Sequence, residues 1–226
     1  MDATSFNYVL AQFGVAGIVL VVMLLALYKL GADLAKLRTD LQQQITRDLL
    51  NKRFDAYGRL WAEMQPLAAY SDDLLSPPKA AQLSEALSAW YFSATGGMFL
   101  TTKARDFYFS LQDMLQAASD LKGWKCTRRP DDPKGTFRHF LAEAVAAKQP
   151  AIAFDPNRLD EPETIDATQW RDACRIAAQR LKSLPATGGP EVSDTVFAAV
   201  QQVSSALRSI LAYELQTRLE LHVPRP

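Results

Sequence analysis

Between Asp2 and Lys29 the chain carries no charged side chain. From Tyr8 to Tyr28 nearly every residue is apolar, and Gln12 alone interrupts the run. A helix needs about 20 such residues to cross a ~30 Å hydrocarbon core, because each residue rises ~1.5 Å. Only internally bonded backbone is tolerated there, so the segment is expected to be helical. Tyr8 and Tyr28 stand near its ends, where amphipathic rings favour the headgroup level. A cleaved signal peptide fits poorly: Asp2 precedes the run, no Lys or Arg does, and Tyr28-Lys29-Leu30 is a poor cleavage site. A buried helix of a soluble protein would show a polar face, which this segment lacks.

Orientation follows from the basic residues. Lys29, Lys36, Arg38, Arg47, Lys52 and Arg53 all follow the apolar run. The positive-inside rule puts the first residues outside and the large C-terminal region in the cytoplasm, so the expected location is the inner (cytoplasmic) membrane of the cell. Cys126 and Cys174 are far apart and match no metal or disulfide framework, as expected in a reducing compartment. Lys plus Arg total 25 against 25 Asp plus Glu, so no global field points to nucleic acid. The sequence predicts a short outer segment over 1–7, a transmembrane helix over 8–30, a juxtamembrane helix over 31–70 and a helical domain over 71–226.

Beyond the apolar run, Leu30, Leu34, Leu37, Leu41, Ile45 and Leu49 recur at three- and four-residue steps, separated by polar residues. So narrow a stripe wants a partner helix: a second copy, another protein or the chain's own later helices. The steps leave a strict heptad after Leu41. Phe54, Tyr57, Leu60, Trp61, Met64 and Leu67 then widen the apolar face, as for a helix joining a core. Ser76 is expected to cap a helix starting at Pro77-Pro78 and carrying Leu83, Leu87, Trp90 and Tyr91. Thr95-Gly96-Gly97 should end it, with glycine supplying positive φ. Thr101 or Thr102 should cap a helix through Phe107, Leu111, Met114 and Leu121, stopped by Gly123.

Lys125 to Gly135 is expected to be a loop and Phe137 to Lys148 a short helix. Pro150 to Pro162 should be irregular, with a short extended piece at Ala151 to Phe154. A further helix is expected from Ile165 to Leu184, then a turn from Pro185 to Pro190. Ser193 or Asp194 should cap the last helix, whose face reads Val196, Val200, Val203, Leu207, Ile210, Leu211 and Leu215. No β-alternation or internal repeat is visible, so the fold class is all-α.

Three segments together resemble a group of uncharacterised bacterial single-pass, membrane-anchored helical proteins. They are Lys52-Arg53-Phe54-Asp55-Ala56-Tyr57-Gly58-Arg59-Leu60-Trp61, then Trp90-Tyr91-Phe92 through Gly96-Gly97-Met98-Phe99-Leu100, then Ala104-Arg105-Asp106-Phe107-Tyr108. The resemblance implies the architecture of an anchored helical domain and no established activity.

Two clusters carry the functional expectations. Gly96 and Gly97, followed by Thr101, Thr102 and Arg105, could hold a phosphate or carboxylate on backbone N–H groups and a helix N-terminus; a plain connecting turn is the competing expectation. No Gly-Lys-Ser/Thr ending follows, so nucleotide hydrolysis is not expected. Arg53, Tyr57 and Trp61, at four-residue spacing, join Leu34, Leu37, Leu41 and Ile45 as interface candidates, against the alternative of a core with a snorkelling arginine. The basic loop Lys125, Arg128, Arg129 and Lys134 is interleaved with Asp131 and Asp132 and is expected to be solvated. His139 and His222 are the only histidines, and no nucleophile–base pair is legible. No enzyme, cofactor or metal site is expected. The expected function is a membrane-tethered adaptor or scaffold that binds a protein partner or a second copy; the alternative is a sensor of a small anionic ligand at Gly96-Gly97.

Overall fold

A computed structural model describes the backbone except at residues 1–2, 69–73, 94, 149–154, 156–157, 160, 186–188 and 221–226; inside its helices, the side chains of 3–13, 15–16, 18, 21 and 217–220 are also outside the description. Among the described residues there are six α-helices and no strand, so the chain is all-helical. They are α1 (Ala3–Glu63), α2 (Pro77–Phe92), α3 (Thr102–Asp120), α4 (Pro133–Lys148), α5 (Ala167–Lys182) and α6 (Pro190–Glu220). The chain divides into two compact units, Met1–Lys52 and Arg53–Pro226.

In the first unit, every described side chain of α1 from Gly14 to Gln44 is exposed. Among the described residues no helix is long and apolar enough to cross a membrane. The transmembrane helix expected over 8–30 is therefore not carried by them. Ten of the 23 side chains in that span lie outside the description, and the continuous described run from Val22 meets Lys29 after seven residues, against the about 20 a crossing needs.

In the second unit, α3 packs against α2, α5 and α6, while α4 packs against α5 and α6. Phe107, Leu111, Met114 and Leu115 of α3 are buried, as their three- and four-residue spacing requires. Phe107 stacks on Trp170 of α5 with ring centroids 4.8 Å apart. The expected faces of α5 and α6 are the buried ones, including Trp170, Cys174, Leu181, Val196, Val200, Val203, Leu207, Ile210 and Leu211. Polar side chains tie the same seams: Tyr108 OH donates to the Leu87 carbonyl at 2.9 Å, and Gln112 Nε2 donates to Tyr108 OH at 2.8 Å. Burial raises the Tyr108 phenol to about 12, so it remains a protonated donor at neutral pH.

Several boundaries differ from expectation for local reasons. α1 ends at Glu63, followed by a 3-10 turn over Gln65–Leu67, because Pro66 cannot continue an α-helix. Tyr57, Leu60, Met64 and Leu67 are buried, whereas Phe54 and Trp61 lie 40% and 46% exposed on the flank of that face. Ser76 occupies the cap position of α2 but makes no side-chain cap bond. α4 starts at Pro133, inside the expected loop, since Asp132 Oδ1 accepts from Gly135 N at 2.8 Å and proline suits a first helical position. The same preference starts α6 at Pro190, which leaves Ser193 and Asp194 within the helix and not at its cap. Asp166 caps α5, accepting from Gln169 N at 2.9 Å. The extended piece expected at Ala151 to Phe154 lies outside the described residues, as does part of the turn over 185–190.

Trp170→Ala removes the largest fully buried side chain and its stacking partner for Phe107. Unfolding of the full chain by denaturant should show a loss of about 3–5 kcal/mol, whereas Thr102→Ala, at an exposed position, should change stability by less than about 0.5 kcal/mol.

Candidate functional site

The connection from α2 to α3 carries most of the anion-site candidates. Its left-handed residue is Thr95, at φ 56° and ψ 15°. Gly96 and Gly97 form a 3-10 turn through Phe99 and are buried. A Cβ on Gly96 would fall 2.3 Å from Trp90 Cε2, and one on Gly97 would fall 2.6 Å from the Tyr91 ring. The glycines thus let the backbone lie directly on two aromatic rings; among described glycines only Gly123 has positive φ. That differs from the expected turn role, and no sequence signal says which ring covers a glycine.

Thr101 is the cap of α3, its Oγ1 accepting from Ala104 N at 3.1 Å. The same hydroxyl donates to Glu214 Oε1 on α6. Tyr57 OH donates to Glu214 Oε2 at 2.8 Å, with the Phe99 carbonyl oxygen 3.1 Å away as a second acceptor. Arg53 Nε donates to that same carbonyl at 3.1 Å. The structure therefore gathers Arg53, Tyr57 and Thr101 around one carboxylate and one backbone carbonyl. The carboxylate that meets the cap residue of α3 is the chain's own.

The remaining candidates are not drawn in. Thr102 and Arg105 are exposed on the first turn of α3, and Trp61 is half exposed on α1. Leu34, Leu37, Leu41 and Ile45 belong to the first unit and are 49–60% exposed. Lys103 donates to the carbonyls of Glu163 at 2.6 Å and Ile165 at 2.8 Å, which fixes the 3-10 turn Pro162–Thr164. Burial lowers its pKa, against the opposing pull of Glu163, Asp166 and Glu214.

Sequence reasoning missed Glu214 and gave Arg208 no role. Glu214 lies three residues after Leu211 and four after Ile210, so its spacing places a carboxylate at the edge of the apolar face of α6. Arg208 Nη1 donates to the Met64 carbonyl at 3.5 Å, an oxygen just past α1 that also accepts from Leu67 N at 3.0 Å. Burial draws the Arg208 pKa below the ordinary guanidinium value.

Among the described residues, no three His, Cys, Asp or Glu side chains gather so as to hold a metal. Both cysteines are free and buried, and burial is the leading cause that raises each thiol above its usual range. A recess of about 540 Å³ opens between α1 and α2, lined by Arg59, Ala62, Glu63, Ala86, Ala89 and Trp90. No family model, curated protein or solved structure matches the chain.

Three outcomes test this geometry. Gly96→Ala should destabilise the folded chain by about 1–3 kcal/mol through overpacking, while Arg105→Ala should leave its unfolding midpoint nearly unchanged. Glu214→Gln should lower stability by about 1–2 kcal/mol, and Tyr57→Phe should add less on top of it than it costs alone because the two share a hydrogen bond. A thiol reagent at pH 7 should label neither Cys126 nor Cys174 until denaturant is added, as read by absorbance.

Proposed function

We propose that this chain is a membrane-tethered helical adaptor, with α1 as tether and the second unit presented to protein partners at the cytoplasmic face. One observation carries the proposal. Val19, Leu20, Val22, Met23, Leu24, Leu25 and Leu27 are each 56–62% exposed, all around the helix. A helix apolar on every side is unstable in water and is normally enclosed by protein or lipid. The uncharged sequence between Asp2 and Lys29 supports lipid as the enclosing medium. The six Lys and Arg residues from Lys29 to Arg53 favour the cytoplasmic side for the C-terminal part of the chain. A tether of this kind raises the effective concentration of the second unit for partners on the same surface. The recess between α1 and α2 supplies one apolar surface for such a partner, with Phe92 and Met98 exposed elsewhere on the unit.

The anion-sensor alternative draws less support. Its two glycines lie beneath Trp90 and Tyr91, and its threonine hydroxyl is already bonded to Glu214.

Membrane fractionation tests the tether. After an alkaline carbonate wash the full chain should stay in the membrane pellet and be released only by detergent. Leu20→Arg with Leu24→Arg should move most of it to the supernatant, since each charge at mid-span costs roughly 2.5–3.5 kcal/mol. Wild-type chain in the supernatant would contradict the proposal.

A further inference from the structure

The exposed face of α1 has a finer order than general apolarity. Leu20, Leu27, Leu34 and Leu41 recur every seven residues, and Met23, Leu30 and Leu37 fall between them three residues after Leu20, Leu27 and Leu34. These are the a and d positions of an uninterrupted heptad seam. All seven side chains are described, and each is between 49% and 60% exposed. The seam has a defined end, because the next d and a positions are Gln44 and Asp48. Over the uncharged part any period would look apolar; from Leu30 onward the heptad is selected against Asp33, Lys36, Arg38 and Asp40.

We infer that this seam is filled by the same seam of a second copy of the chain, in parallel and in register. The inference rests on the tethered-adaptor proposal and names its partner at α1. Charge decides both the occupant and the direction. With Leu34 at a, Asp33 and Asp40 occupy g positions and Arg38 an e position. In a parallel coiled coil each g residue faces the e residue five positions later on the other chain. Asp33 and Arg38 are five positions apart, so two parallel copies make two such ion pairs, one on each side of the seam. An antiparallel pair would oppose g to g and bring Asp33 against Asp40. A shared membrane imposes the same choice, since two copies inserted with one orientation run parallel. The small residues Ala26 and Gly31 occupy the preceding g and e positions, where charge would have to be buried near the bilayer.

The drift after Leu41 fits the same arrangement. Ile45 and Leu49 follow at four-residue steps, which turn the apolar stripe away from a heptad seam and let the two helices diverge.

Cross-linking tests the inference on the full chain in mild detergent and in native membranes. Leu37→Cys places a thiol at a d position and Thr39→Cys one at the outward f position; the two natural thiols are buried. Oxidation should join Leu37→Cys chains into a disulfide dimer and leave Thr39→Cys largely monomeric, and the purified wild type should have at least twice the molar mass of one chain. Within the Leu37→Cys background, Asp33→Arg or Arg38→Asp alone should cut the dimer yield roughly fivefold, as an exposed ion pair becomes a like-charge pair on both sides. The two reversals together should restore it. All four positions are exposed, and an unchanged unfolding transition of the second unit confirms that the variants fold. Equal cross-linking at positions 37 and 39, or a double reversal that fails to restore, overturns the inference. A wild-type monomer that carries a different protein overturns it and leaves the adaptor proposal standing. A bare monomer overturns both.

Discussion

The constraint on which the rest depends is the apolar surface of α1. From Val19 to Leu49 the helix presents large aliphatic side chains that remain about half exposed. Apolar surface left in water costs roughly 25 cal/mol per Å², and a contiguous patch of this size is rare on a protein that stands alone. Two media can cover it, and the charge pattern separates them. Up to Tyr28 the helix is apolar on every side, which suits lipid. From Leu30 the apolar residues retreat to one stripe, which suits a partner helix.

The second unit shows how the other end of α1 is held. Tyr57 and the Met64 carbonyl engage Glu214 and Arg208 of α6, and Glu214 also reaches the cap of α3. These contacts bind the segment after Arg53 to helices far away in sequence. The Tyr57 and Thr101 bonds to Glu214 span 157 and 113 residues. Glu214 accepts from two hydroxyl donors, one at each carboxylate oxygen.

The helical domain is largely legible in the sequence because its signals are periodic and local. The buried faces of α3, α5 and α6 follow from spacing alone, and Thr101 announces the start of α3. Two helix starts that differ from expectation do so through proline: Pro133 and Pro190 each occupy a first helical turn where composition suggests loop. The site is legible only as a set of separate residues. Arg53, Tyr57 and Thr101 belong together through Glu214, a residue whose role depends on a tertiary contact. Gly96 and Gly97 stand out in the sequence for a reason that is not the physical one. Their need for no side chain comes from the rings of Trp90 and Tyr91 above them and not from positive φ.

The central claim, that lipid surrounds the first part of α1 while a second copy fills its seam from Leu20 to Leu41, is tested most directly by a nitroxide scan. Single spin labels from residue 19 to residue 45 of the full chain in liposomes would report oxygen and water accessibility at each position. The account predicts high oxygen access up to Tyr28, dipping at Leu20, Met23 and Leu27 where the second copy lies. Beyond Tyr28, water access should oscillate with a period of about 3.5 residues, with minima at Leu34, Leu37 and Leu41. Uniform water access along the whole scan would contradict it, and so would oxygen access continuing unbroken past Arg38.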